Sequence, residues 1–227
     1  MTRWLGLLLV VSLPGCSGLQ ETEAGVVGIE VIVPGPDSVE VGESIQLSVK
    51  PLDKNGDSVA APVGWVSADA TATIDAAGVL TGVSPGSARV QASVGSLASG
   101  LITFEVVAPA DSLVLAGDSV LTVPAGTTAA PGMVVRLDSF HPPGPLPVRR
   151  VVYAITSPDP AAAAPTVVFT DGAVADTVVT GPDGTATAAL TVIGTPPDTV
   201  LVAVRAARTR GAEVPGSGQR FIVLFQH

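Results

Sequence analysis

One cysteine, two histidines and an aromatic content of 4% in 227 residues leave little material for several kinds of chemistry. A single cysteine cannot close an internal disulfide, and with only two histidines it cannot complete a zinc site of Cys and His ligands. Charge is also sparse, at 14%, and the formal net charge is −9. Nucleic-acid binding needs clustered Lys and Arg that displace counterions, so this balance argues against nucleic acid as a partner. No apolar run approaches the ~20 residues that cross a bilayer as a helix. What is abundant is backbone punctuation, 25 Gly and 20 Pro. That content disfavours long helices and favours many short strands joined by turns. The length fits one or two domains at roughly 100–200 residues each.

Residues 1–15 read as an export signal, with Arg3 as the positive start and Leu5 to Leu13 as the apolar core. Leu13-Pro14-Gly15-Cys16 resembles the bacterial lipobox, although Pro14 stands where that motif usually holds a small or β-branched residue. The resemblance implies cleavage before Cys16 and acylation of that cysteine. Two or more acyl chains, each contributing ~0.8 kcal/mol per buried CH₂, would hold the chain on a membrane. The alternative is an ordinary signal peptide in which Cys16 is incidental. Ser17 follows the cysteine, and in lipoproteins of two-membrane bacteria a residue other than Asp there implies forwarding to the outer membrane. Residues 16–24 then form the acylated cysteine and a short polar tether.

From residue 25 the hydrophobic period is two. Ile29, Val31 and Val33 alternate with other residues, as do Ile45, Leu47 and Val49, then Ala88, Val90, Ala92 and Val94, then Ile102, Phe104 and Val106. Successive side chains of a strand point to opposite faces, so each run predicts a half-buried strand. Turn signals separate the runs at Pro34-Gly35-Pro36-Asp37, Asp53-Lys54-Asn55-Gly56-Asp57 and Ser84-Pro85-Gly86. Short strands at this spacing predict an antiparallel sandwich. Val39-Glu40-Val41-Gly42-Glu43, Trp65-Val66-Ser67-Ala68-Asp69, Gly78-Val79-Leu80-Thr81-Gly82 and Pro85 to Ala92 follow one another as in the bacterial immunoglobulin-like group 2 domain, which residues 25–107 resemble. Trp65 is expected as the large residue between the sheets. Gly42, Gly78, Gly82 and Gly86 are expected where the backbone turns with positive φ or packs too closely for a Cβ.

Residues 108–227 continue the period through Met133 to Leu137, Val151 to Ile155, Ala186 to Val192, Val200 to Val204 and Phe221 to Phe225, predicting a second sandwich. Thr180-Gly181-Pro182-Asp183-Gly184-Thr185-Ala186-Thr187 and the valine strand from Val200 resemble the group 1, invasin-type immunoglobulin-like domain. The fold class read from sequence is therefore all-β, two tandem immunoglobulin-like sandwiches behind a lipoprotein signal.

Several constellations point to chemistry and lack a required part. Gly82-Val83-Ser84-Pro85-Gly86 fits the G-x-S-x-G nucleophile pattern, but a strand follows where a helix is needed, and the candidate histidine bases are His141 in a proline loop and His227. A hydrolase using Ser84 is the remote alternative. Asp53, Asn55 and Asp57 have calcium-loop spacing, yet the sixth and twelfth positions are Ser58 and Gly64. No cofactor is expected; the alternative is Ca²⁺ among loop aspartates, Asp69 and Asp75 or Asp171, Asp176 and Asp183. Arg205, Arg208 and Arg210, with Arg149, Arg150 and Arg220, are the basic concentration. They are read as solvated edge and loop charges, the alternatives being contacts to lipid A phosphates, an anionic polysaccharide or the first domain. Binding is expected on loops at the domain ends or an exposed edge strand, with His141, Pro142, Pro143 and Gly144 as the candidate loop. The sequence thus predicts a non-catalytic envelope protein. Its roles would be adhesion to a glycan or protein ligand, or spacing and docking on another envelope protein.

Overall fold

The computed structural model describes residues 25–161 and 164–227, and among them no residue is helical. Cys16 and its tether lie outside the described residues. Strands form where apolar residues recur at every second position. They stop at the glycine and proline turns, which supply conformations that a strand cannot adopt.

The first sandwich holds β1 (Gly28–Ile32), β2 (Ser38–Glu40), β3 (Ser44–Gln46), β4 (Ser48–Leu52) and β5 (Gly64–Ser67). It continues with β6 (Ala72–Ile74), β7 (Val79–Gly82), β8 (Gly86–Val94), β9 (Leu97–Ala98) and β10 (Ile102–Val107). One sheet has the order β2-β10-β8-β5, with β2 parallel to β10. Opposite it lie β3-β7-β6 and the pair β1-β4. The run from Ser44 to Lys50 reads as one strand in the sequence, but it divides at Leu47. Its first half pairs with β7 and its second with β1. The buried Leu47 at the division donates its amide to Gly78 O at 2.9 Å.

Trp65 departs from expectation. It faces inward opposite Ala92, yet it is only partly buried, and the wholly enclosed aromatic is Phe104 on β10. The reason is position, because β5 is the outer strand of its sheet and leaves one flank of the indole open. The indole lies over Gly78, where a Cβ would come within 2.9 Å of Trp65 Nε1 and where φ is +84°. Gly82 is needed for closeness alone, since a Cβ there would stand 2.6 Å from Glu40 O.

The second sandwich holds β11 (Ser112–Leu115), β12 (Val120–Val123), β13 (Met133–Phe140), β14 (Pro143–Pro145), β15 (Arg150–Ser157) and β16 (Val167–Phe169). Then follow β17 (Ala175–Val179), β18 (Thr185–Ala188), β19 (Leu190–Val192), β20 (Thr199–Ala206) and β21 (Arg220–Phe225). Its larger sheet has the order β12-β21-β20-β15-β17, again with a parallel pair, β12 beside β21. The facing layer is β11-β13-β14 with β18 on β13, and β16 paired to β19. Both units therefore share one plan: the opening strand is split between two layers and the closing strand runs beside its second part. That is the arrangement of an immunoglobulin-like sandwich. Among the described residues no sheet takes strands from both sides of the link at residues 108–111, and the two apolar clusters are separate.

Tyr153 is wholly enclosed at the centre of the second core and donates its hydroxyl to Ala186 O at 2.7 Å. Burial pushes its ionisation well above the usual phenol value.

Candidate functional site

The turn at His141–Pro142 is tight. Phe140 stands opposite Pro143, so Pro143–Pro145 returns along β13 as a strand where the sequence suggests an open proline loop. Pro and Gly can do this because β14 is an edge with few ladder bonds to lose. His141, Pro142 and Pro143 are exposed and Gly144 is partly so. Phe140 N donates to Asp111 Oδ2 at 2.8 Å, which places the turn beside the link between the sandwiches.

Ser84 is exposed in the turn between β7 and β8, and its amide donates to Thr71 O at 3.2 Å. Neither histidine belongs to that sandwich; His227 Nε2 lies 3.0 Å from Asp198 Oδ1. The loop aspartates are engaged locally. Asp53 Oδ1 accepts from the amides of Asn55 and Asp57, Asp75 Oδ1 from those of Ala77 and Val79, and Asp171 Oδ1 from that of Ala173. Among the described residues no group of three or more His, Cys, Asp or Glu side chains is placed to hold a metal ion, and no helix is long and apolar enough to cross a membrane.

Asp69 grips Arg89 with both oxygens, at 2.9 Å from Nε and 2.9 Å from Nη2, and also accepts the Arg89 amide at 2.8 Å. The guanidinium hydrogen bonds, and then that amide, hold the Asp69 carboxyl at about 2, below its ordinary 3.8. Asp53 is lowered by the amides of Asp57 and Asn55, and Asp183 by the hydroxyl and amide of Thr185. A carboxyl depressed in the folded state stabilises it above the unfolded value, and this contribution is lost as pH falls through the folded value. Melting temperature is therefore expected to drop between about pH 4 and pH 2, and Asp69→Asn is expected to flatten that drop; a circular dichroism melt at stepped pH measures both.

The arginines give the larger surprise. The sequence reading has them solvated, but Arg149, Arg208 and Arg210 reach the link or the first sandwich. Arg208 to Arg210 form the tip between β20 and β21, closed by Arg208 N on Ala212 O at 2.7 Å and Gly211 N on Arg208 O at 2.9 Å. Arg210 donates from Nη1 to Pro34 O at 2.8 Å and from Nη2 to Pro36 O at 2.9 Å. Gly35 between those prolines has φ +75°, and a Cβ there would stand 2.9 Å from Arg210 Nη1. The Pro-Gly-Pro turn thus offers two carbonyls to one guanidinium because its middle residue has no side chain. Arg149 Nη2 donates to Ala108 O at 2.8 Å.

At the centre is Glu40, a side chain the sequence does not single out, 1% exposed at the end of β2. Its Oε1 accepts from Thr209 N and Thr209 Oγ1, both at 3.1 Å. Its Oε2 accepts from Ala110 N at 3.3 Å and lies 3.6 Å from Arg208 Nη1. Arg208 Nη2 donates in turn to Asp111 Oδ1 at 3.0 Å. One carboxylate of the first sandwich is thereby bonded to the link and to the tip of the second. Pro109 and Ala110 of the link are buried as well. A period-two reading puts Glu40 on an outer face, and nothing local reveals that another sandwich covers it; Thr209 between two arginines is equally silent.

Residues 31–102 match the family described as bacterial Ig-like domain (group 2). No curated protein matches the chain. Among solved structures, the S-layer protein SbsC domains 4 and 5 are 13% identical, with 90% of this chain and 100% of that one covered at a TM-score of 0.33. The D00-D0 domain of intimin is 16% identical, over 86% of this chain and 99% of that one, at 0.31. Fibronectin(III)-like modules of Clostridium thermocellum CbhA are 16% identical, over 87% and 93%, at 0.38. Against the longer SbsC fragment of domains 4-9, the chain spans 31% of that structure.

Proposed function

We propose that the chain is a lipid-anchored protein of the cell envelope whose two immunoglobulin-like sandwiches form one stiff arm for adhesion or surface binding, without catalysis. The observation that carries this reading is the joint around Glu40. Tandem domains joined by a small interface move by default, but breaking the bonds of a buried carboxylate held by both the link and the second sandwich is costly, and a restrained angle suits an arm for presentation. The lipobox-like run ending at Cys16 supports an anchor, and Ser17 supports the outer membrane. The sequence pattern from Thr180 to Ala206 supports an invasin-type group 1 domain as the second unit. Ligand contacts would fall on the end loops, including His141 to Gly144, or on exposed sheet surface. An enzymatic role for Ser84 lacks a histidine within its sandwich.

The test is expression of the full chain in a two-membrane bacterium. Wild type is expected in the detergent phase on Triton X-114 partition, with acylated Cys16 as the amino terminus in mass spectrometry. Cys16→Ala is expected in the aqueous phase, and cells carrying it should lose any adherence to glycan or matrix arrays that wild type confers. An unaltered partition of Cys16→Ala overturns the anchor.

A further inference from the structure

The two larger sheets share a strand order but present unlike outer faces. On the first sandwich the outward positions are mostly polar, among them Ser87, Arg89, Gln91, Thr103 and Glu105, with Val66 as a single exposed apolar side chain opposite Gln91, as expected for a sheet with one face in water. On the second, Val120, Val152, Val179, Ile222 and Leu224 face outward and are exposed by between 36% and 53%. Leu201 stands beside Ile222, which in turn stands beside Val120, so these three make one apolar row across neighbouring strands.

Set into this apolar ground are three exposed arginines on three adjacent strands. Arg150 is on β15, Arg205 on β20 opposite Val152, and Arg220 on β21 opposite Ala203. Each is displaced two residues from the last, so with strands ~4.8 Å apart and ~6.7 Å per residue pair they form a diagonal with steps of about 8 Å. Arg205 has a solvated partner, Glu213, at 3.5 Å. No Asp or Glu occupies an outward position on the five strands of this sheet. Both lysines of the chain are in the first sandwich, so the cations of this face are all guanidinium. Guanidinium is the more weakly hydrated cation and the one enriched at protein interfaces.

We propose that this face of the second sandwich docks an acidic protein surface, with carboxylates against the arginine diagonal and aliphatic side chains against the valine and leucine rows. Charge complementarity selects this occupant. A second copy of the same face would set arginines against arginines, with only Glu213 beyond the end of β20 to offset them. A glycan would find no aromatic ring to stack on. Binding to a membrane surface is the work of amphipathic helices that lay Trp, Phe or Leu into the headgroup boundary, whereas this face is a sheet without an aromatic ring. Five strands of about 20 Å give a footprint of roughly 500 Å², below the ~800 Å² per partner of a standard interface, so the contact is a weak, reversible one. The proposal deepens the binding role given above and rests on it for its setting. Binding in solution needs no lipid on Cys16, so failure of the anchor and failure of this face are separate results.

The experiment uses the full chain in detergent micelles with two synthetic peptides of about ten residues, one alternating Glu and Val, the other Gln and Val. The Glu peptide is expected to bind about tenfold more tightly, to weaken by a similar factor in Arg205→Glu/Arg220→Glu, and to weaken as salt is raised. The double variant should keep the wild-type melting temperature, and Arg205→Gln/Arg220→Gln should fall between. Absence of Glu-peptide binding, equal binding of the two peptides, or insensitivity to the arginine changes overturns the proposal. So does tighter binding, through the same arginines, to polygalacturonate or to phosphatidylglycerol vesicles.

Discussion

Glu40→Ala is expected to lower stability by about 3 kcal/mol and to separate the melting of the two sandwiches. Removing one member of a buried ion pair costs about 3–5 kcal/mol, because the remaining charge and donors stay desolvated. The lower figure applies here because Arg208 keeps 30% of its side chain in solvent. The amides of Ala110 and Thr209 would lose their acceptor at the same time. Calorimetry should show a transition about 6–12 °C lower at its leading edge, at the 2–4 °C per kcal/mol usual for chains of this size. Small-angle scattering should report a wider spread of interdomain angles. Glu40→Gln preserves shape and one acceptor but turns an amide NH₂ toward the Ala110 N–H, so a loss of about 1–3 kcal/mol is expected. A Glu40→Ala chain that melts and scatters as wild type would mean that the joint does not couple the sandwiches.

The same joint marks where the sequence stops being legible. Period two located nearly every strand, because alternation is a local property: Val151, Tyr153 and Ile155 are buried, as are Val200, Val202 and Val204. Breaks in a strand were less visible. Nothing in the run around Leu47 says that its halves join different sheets, since both halves alternate in phase. Ala186 to Val192 hides a similar break at Ala189, with β18 on β13 and β19 on β16. Burial by a distant segment was invisible. Glu40 and Thr209 are 169 residues apart, and each looks like a surface residue in its own neighbourhood. The arginines stand out as a group in the sequence, but a composition argument cannot divide Arg208 and Arg210, which turn toward the first sandwich, from Arg150 and Arg220, which stay on the open sheet. Trp65 meets the same limit. The sequence identifies an inward-facing aromatic, whereas full enclosure depends on whether its strand is central or outermost.

That last distinction predicts unequal weights for two inward aromatics, Trp65 on β5 and Tyr153 on β15. Tyr153 sits on β15, flanked by β20 and β17, and its ring meets Phe169 edge-on at 6.4 Å and 61°. Tyr153→Ala is therefore expected to cost about 3–5 kcal/mol, the range for emptying a large aromatic site in a core. Tyr153→Phe keeps the packing and removes only the bond to Ala186 O, for about 1–2 kcal/mol. Trp65, open on one flank and without a second strand beyond it, should cost less than Tyr153 when cut to alanine. Fluorescence can assign each loss to its sandwich. With Trp4 changed to Phe, Trp65 is the one remaining tryptophan of the chain, and it reports only on the first core. Because that loss to the second sandwich matches or exceeds what the joint holds, Tyr153→Ala in urea should bring the circular dichroism transition forward while the Trp65 signal changes later, at the intrinsic midpoint of the first sandwich. If both signals move together, the joint around Glu40 transmits the loss and the two sandwiches unfold as one unit; a Tyr153→Ala chain as stable as wild type would show that the ring is not the centre of that core.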